Sequence, residues 1–289
     1  MKLVLHPATQ DAVEQFLVKP GHALLIEGPS GAGKSTLAAY IATQLLDIEP
    51  EALNHYPFFQ LVTTTEKTIS IDVIRDVQRF MRLKTLGTER AIRRILIVQD
   101  AQYLTVEAQN AFLKLLEEPP ADTIIIMTTV NQSALLPTIR SRAQHLRVNV
   151  PSQASLVSWY GQQGIKKTEI DKAYYMSEGH VGLMSALLIG DEAHPLVAQI
   201  QIAKKLLSLT AFERLTMVDQ LTKQRIETEQ LLQALQLICH AGLIVATEQG
   251  QLAVTKRWHN SLRKLTGAEQ SYQANPNLKL LMTDLLLGL

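Results

Sequence analysis

Cysteine is almost missing from this sequence: Cys239 is the only one among 289 residues. One cysteine excludes a disulfide framework within the chain and a cysteine-built zinc site. Cys239 lies in the apolar stretch 235–241 and reads as a small buried hydrophobe. Charge of one sign is also lacking. Lys and Arg number 28 against 27 Asp and Glu, a net charge of +1. That balance does not suit a protein that coats nucleic acid by itself; a DNA role would need a local basic patch or partner chains. No uninterrupted apolar run approaches the roughly 20 residues that span a bilayer. Residues 1–18 mix apolar residues with His6, Asp11 and Glu14 and contain no signal-peptide core. The expectation is a cytoplasmic protein without membrane contact. Internal repeats and low-complexity tracts are absent too.

What is present is enough apolar sequence, 46% of residues, for two or three domains. Residues 1–150 alternate short apolar runs with helical stripes. Runs at 22–26, 58–62, 95–98 and 124–127 read as strands, and 37–46 and 71–81 read as helices. Unbroken β-branched runs between polar flanks fit parallel strands buried on both faces. From Pro151 onward helical patterns dominate: 154–164, 167–176, 196–207, 211–221, 227–245, 253–265 and 277–287. Gly179, Gly182 and Gly190 punctuate the stretch between. Asn275 is the expected N-cap of the last helix, with Pro276 at its first position. The reading is an α/β domain over 1–150, a small helical segment over 151–195 and an all-α domain over 196–289.

Gly28-Pro29-Ser30-Gly31-Ala32-Gly33-Lys34-Ser35 satisfies G-x-x-x-x-G-K-[ST], and Thr36 follows it. Glycines let backbone N–H groups curl around phosphate oxygens, and the following helix points its positive end at the same anion. Lys34 would face the β and γ phosphates of ATP or ADP, and Ser35 would place a hydroxyl on Mg²⁺. The acidic partner is reduced. After the run 95–98 come Gln99 and Asp100, one carboxylate where a P-loop hydrolase commonly has two. Gln99 cannot supply the negative charge that holds Mg²⁺ strongly, so binding with poor hydrolysis is expected. Asp100 is either a degenerate catalytic acid or a turn cap. Lys84, Arg90, Arg93 and Arg94 form a basic stretch that reads as a solvated face, with a DNA-contacting patch as the alternative.

The segment Thr105-Val-Glu-Ala-Gln-Asn110-Ala-Phe-Leu-Lys114-Leu-Leu-Glu117-Glu118-Pro119-Pro120 reads as a helix capped by Thr105 and stopped by Pro119. Its wording resembles the N-A-L-L-K-x-L-E-E-P-P signature of bacterial clamp-loader subunits. Arg140-Ser141-Arg142-Ala143 resembles the S-R-C motif of the same AAA+ family, with alanine in place of cysteine. Residues 22–29 and 275–282 resemble the family's approach to the P-loop and its last helix. The resemblance implies an AAA+ P-loop module with a parallel sheet, a small helical lid and an all-α C-terminal collar. It implies gamma/tau and delta subunits as partners, with the sliding clamp and primer–template DNA reached through the assembled complex. Thr129 falls on the sensor 1 position, and its alternative is a strand-end threonine satisfying its own backbone. Gly182 falls where motor subunits carry the sensor 2 arginine. The family's four-cysteine zinc module has no counterpart, so no zinc is expected. These departures imply a ring member that lends Arg142 to a neighbour as an arginine finger, within a polymerase holoenzyme but with no polymerase site of its own. The alternatives are an active motor ATPase of the gamma/tau type and, from another class, a small-substrate phosphotransferase.

Overall fold

The computed structural model describes residues 3–63, 68–85, 91–191, 194–274 and 276–289. They form two compact units, Met1–Pro151 and Ser152–Leu289.

The first unit runs α1 (Pro7–Val18), β1 (Ala23–Glu27), α2 (Lys34–Leu46), β2 (Phe59–Val62), α3 (Ile71–Met81), β3 (Arg94–Val98), α4 (Val106–Glu117), β4 (Thr123–Thr129), α5 (Pro137–Arg140) and β5 (Gln144–Arg147). The strands make one sheet in the order β2-β3-β4-β1-β5, and every pairing is parallel. Successive side chains on a strand point to opposite faces, so β-branched runs feed two cores. Leu25, Leu96, Val98, Ile125 and Met127 pack against Ile74 and Val77 of α3 and Phe112 and Leu116 of α4. Leu24, Ile26, Ile95, Ile97, Ile124 and Ile126 pack against Val13 and Phe16 of α1 and Leu37 and Ile41 of α2. With both faces covered, the carboxyl ends of β1, β3 and β4 are the free rim, where open α/β sheets bind ligands.

The basic stretch departs from expectation. Arg94 is 1% exposed, not solvated. Its guanidinium donates to the carbonyls of Met81 and Leu83 and lies 5.4 Å from the centre of the Phe80 ring. Arg94 thereby ties the end of α3 to the start of β3. Arg93 stands 3.3 Å from the Asp122 carboxylate. Arg90 lies outside the described residues.

The second unit runs α6 (Gln153–Gly161), α7 (Lys167–Ser177), α8 (Val181–Ile189), α9 (Pro195–Ser208), α10 (Ala211–Thr216), α11 (Val218–Leu221), α12 (Arg225–Glu248), α13 (Leu252–Gln273) and α14 (Leu278–Gly288). Leu183 of α8, Ile200 of α9, Leu235 and Ile238 of α12, Leu265 of α13 and Leu285 of α14 share one core. Gly182 does not punctuate this stretch; it lies inside α8, while Gly179 and Gly190 take left-handed φ of 74° and 70° at its flanks. The segment 211–221 breaks at Met217 into two short helices. Asn277, not Asn275, caps α14, its side chain accepting from Lys279 N at 3.0 Å; Asn275 lies outside the described residues. Helix α12, 24 residues long, is long and apolar enough to cross a bilayer by length and composition, although polar residues interrupt its apolar runs. Its apolar face is spent on the unit's own core. Cys239 on α12 is buried there, and burial pushes its thiol up to about 12, so it packs as a hydrophobe.

Candidate functional site

The phosphate loop leaves the sheet at Gly28, whose N–H donates to Thr129 O at 3.2 Å. A Cβ on Gly28 would sit 3.1 Å from Val148 Cβ, so the loop starts in close contact with the chain after β5. Gly31 and Gly33 take φ of 77° and 84°, a region in which a side chain is strained. Between them Ala32 N–H donates to Pro29 O at 3.2 Å, with Ser30 inside the turn. The chain then enters α2 with no side chain capping its first turn. The N–H groups of that turn are the kind that satisfy an anion, and Ser35 and Thr36 stand exposed beside them. Lys34 is only 7% exposed, and its Nζ donates to Pro29 O at 2.9 Å. Burial lowers its pKa, and the Asp100 carboxylate pulls it part of the way back. This loop fits a nucleotide phosphate chain: curled amides, a helix start and one desolvated cation.

The end of β3 is built differently. Gln99 N–H continues the sheet by donating to Val62 O at 2.9 Å. Asp100 turns left-handed, with φ of 51°. Its N–H donates to Thr128 Oγ1 at 3.0 Å, and its carboxylate accepts from Gln102 Nε2 at 3.2 Å. Gln102 Oε1 in turn accepts from Val130 N at 3.3 Å. Thr128 and Gln102 thus brace Asp100 against β4, a role the sequence reading did not assign to either. Thr129 is fully buried, and its hydroxyl accepts from Asn131 N at 3.1 Å, the geometry of the backbone-satisfying alternative. Among the described residues no group of three or more His, Cys, Asp or Glu side chains could hold a metal. A Mg²⁺ ion here would depend on Ser35, Asp100 and the nucleotide's own phosphates.

Arg142 lies away from that loop, in the turn between α5 and β5. Thr105 caps α4 as expected, its hydroxyl accepting from Ala108 N at 3.1 Å. Gln109 on that helix is buried, with Nε2 donating to Leu104 O and Ala134 O and Oε1 accepting from Leu136 N at 2.7 Å. It fastens the strand-to-α5 segment onto α4. At the other end of α4, Glu117 Oε1 meets Arg142 Nη2 at 2.8 Å, while Nη1 donates to Thr138 O at 3.0 Å. The N-A-F-L-K-L-L-E-E-P-P helix and the S-R-A turn, separate in sequence, are joined by an ion pair. Gly182 belongs to the second unit, at the second position of α8.

Comparison with known proteins agrees with the residues. Residues 17–152 match the family described as DNA polymerase III, delta subunit. The DNA polymerase III subunit delta' of Pseudomonas aeruginosa is 34% identical over 155 residues, 48% of this chain and 46% of that protein. The subunit delta' of Escherichia coli is 29% identical over 206 residues, 65% of this chain and 60% of that protein. The gamma/tau subunit of Mycobacterium tuberculosis is 32% identical over 136 residues, 43% of this chain and 24% of that protein. The matches to the delta' proteins therefore span about half to three-fifths of those relatives' length. In fold, the chain is similar to a gamma-subunit-related protein of Thermotoga maritima, with a TM-score of 0.51, 20% identity and coverage of 96% of this chain and 97% of that one. The chain thus shares the fold of that gamma-subunit-related protein, a parallel sheet with helices followed by a helical C-terminal region, and in sequence it resembles the delta-prime subunits of bacterial DNA polymerase III.

Proposed function

We propose that this chain acts in DNA replication as a delta-prime-like subunit of a bacterial DNA polymerase III clamp loader: a scaffold that lends Arg142 to a neighbouring ATPase. The observation that carries this reading is the contrast between an intact phosphate loop and a β3 end with one carboxylate. Gly28–Thr36 would hold ATP or ADP, with Mg²⁺ retained weakly through Ser35. Gln99 offers a neutral amide where a P-loop hydrolase places a metal-binding acid, so the bound nucleotide would turn over slowly. The second unit is read as a lid over 151–195 and a collar over 196–289. The partners would be gamma/tau and delta subunits, with the sliding clamp and primer–template DNA engaged by the assembled ring in the cytoplasm. No zinc enters this scheme.

In such a ring the guanidinium of Arg142, always charged and planar, would stabilise the charge that develops on a phosphate held by the next subunit. Loss of such a finger costs on the order of 10³-fold or more at a single site. The test is a loader reconstituted with Arg142→Ala, with assembly checked by gel filtration. The expected result is an intact ring with slower DNA-stimulated hydrolysis and slower clamp loading, and unchanged nucleotide binding by this chain. An intact ring with full rates would reject the finger. The chain alone is expected to hydrolyse ATP near background; turnover at a motor subunit's rate would favour the gamma/tau-type alternative.

A further inference from the structure

The ion pair at the end of α4 says how the finger is presented. An arginine side chain has several rotatable bonds and much rotamer entropy to lose when it is fixed, so a free one spends little time in any single pose. Arg142 is not free. Glu117 holds Nη2 at 2.8 Å and Thr138 O holds Nη1 at 3.0 Å, yet the side chain stays 35% exposed. Both anchors sit on helices, α4 and α5, and buried Gln109 joins α4 to the segment that leads into α5. The guanidinium is thus oriented by this chain before any neighbour arrives. Glu117 is itself 49% exposed, so the pair is weak, and a phosphate carrying more charge can draw the guanidinium forward without a large release cost.

We infer that Glu117 is a positioning residue for Arg142: it fixes the orientation of the guanidinium for an anionic phosphate on a neighbouring subunit. The inference rests on the finger reading above and deepens it. It differs from a purely structural role in one respect, that its effect must pass through Arg142.

The experiment is a double-mutant cycle in the reconstituted loader with Glu117→Gln, Arg142→Ala and both together, with Glu118→Gln as the neighbouring charge control. Glutamine keeps the length and one acceptor of Glu117 and removes the charge. Glu117→Gln alone is expected to lower kcat for DNA-stimulated hydrolysis about threefold to fivefold, with the KM for ATP unchanged. In the Arg142→Ala background the same change is expected to do nothing. Glu118→Gln is expected to match the unmodified ring. Additive losses from Glu117→Gln and Arg142→Ala, or equal losses from Glu117→Gln and Glu118→Gln, would overturn the inference. So would an unchanged kcat for Glu117→Gln in a ring where Arg142→Ala is impaired, and the finger reading would then survive alone. An unimpaired Arg142→Ala ring would instead remove the reading on which the inference stands. Thermal melting of each isolated variant checks that Glu117→Gln folds; a lowered midpoint with rescue of kcat at lower temperature would also overturn it, as a stability effect.

Discussion

Among the described residues of the first unit two cations are buried, one at each end of its sheet, and they are held differently. Arg94, at the first residue of β3, is 1% exposed: two backbone carbonyls accept from its terminal nitrogens, its Nε has no hydrogen-bond partner among the described residues, and the Phe80 and Phe58 rings lie beside it. Lys34, past the carboxyl end of β1, is 7% exposed and donates to one loop carbonyl, Pro29 O. A buried charge costs free energy unless hydrogen bonds replace its water. At Arg94 two backbone carbonyls supply them, although burial still lowers its pKa, and the cation serves as a structural tie. At Lys34 a single loop carbonyl does so, and burial lowers its pKa as well. A loop that keeps a cation in that condition is prepared for an anion that will complete its bonding.

The largest effect that would sharpen this contrast is on stability. Arg94→Met removes the donors that satisfy Met81 O and Leu83 O and leaves Asp122 with one guanidinium fewer nearby. The unit is expected to lose about 3 kcal/mol or more, the cost of breaking a buried charged network from one side. Asp122 would also lose part of what holds its carboxyl below the usual range. Burial pushes it up, and the Thr85 hydroxyl, Arg94 and Arg93 together outweigh that. Urea unfolding of both proteins measures the difference. If Arg94→Met is as stable as the unmodified chain, Arg94 is no tie and the contrast collapses.

The next effect is on binding. Lys34→Met keeps the apolar stem and removes the charge. The fold is expected to be at least as stable, because a poorly satisfied buried cation is gone. Binding of ATP or ADP should disappear from calorimetry, since Lys34 supplies the side-chain charge of the loop. Undiminished binding by Lys34→Met would make Lys34 a structural residue like Arg94.

The contrast also marks what could be read from the residues. The phosphate loop and α4 were legible because each carries local instructions: glycines at fixed offsets, a Thr cap at 105, a Pro stop at 119. The paired cores were legible because β-branched runs announce strands. Strand β5 was not, since Gln144-His-Leu-Arg147 offers a single buried apolar residue, Leu146; its pairing is supplied by the free edge of β1. Helix α8 was hidden by Gly182, which packing against the unit's core tolerates. Arg94 read as part of a solvated face because its partners are backbone carbonyls, which carry no sequence signal. The brace of Thr128 and Gln102 on Asp100 is long-range and equally silent. The Glu117–Arg142 pair joins two motifs that were each legible, but their distance was not.

The smallest effect is the pH dependence of stability, and it isolates Lys34. In the folded chain its pKa lies below 10.5 because burial disfavours the charged form, with Asp100 offsetting part of the shift. Between that lowered value and 10.5 the unfolded chain binds more protons than the folded one. Stability contributed at this position therefore rises with pH through that window, and below it the penalty of the charged lysine is constant and fully present. Lys34→Met has no such group. Its stability advantage over the unmodified chain should be greatest below the window and shrink as pH climbs toward and past the unfolded pKa. Unfolding curves for both proteins from about pH 7 to about pH 11 measure that difference, and every other titrating group is common to both. Bound nucleotide should reverse the trend, because a phosphate beside Lys34 favours the charged form. Parallel pH profiles for the two proteins without nucleotide would mean that burial does not disfavour the charged Lys34, and the loop would then have no unmet charge to offer a phosphate.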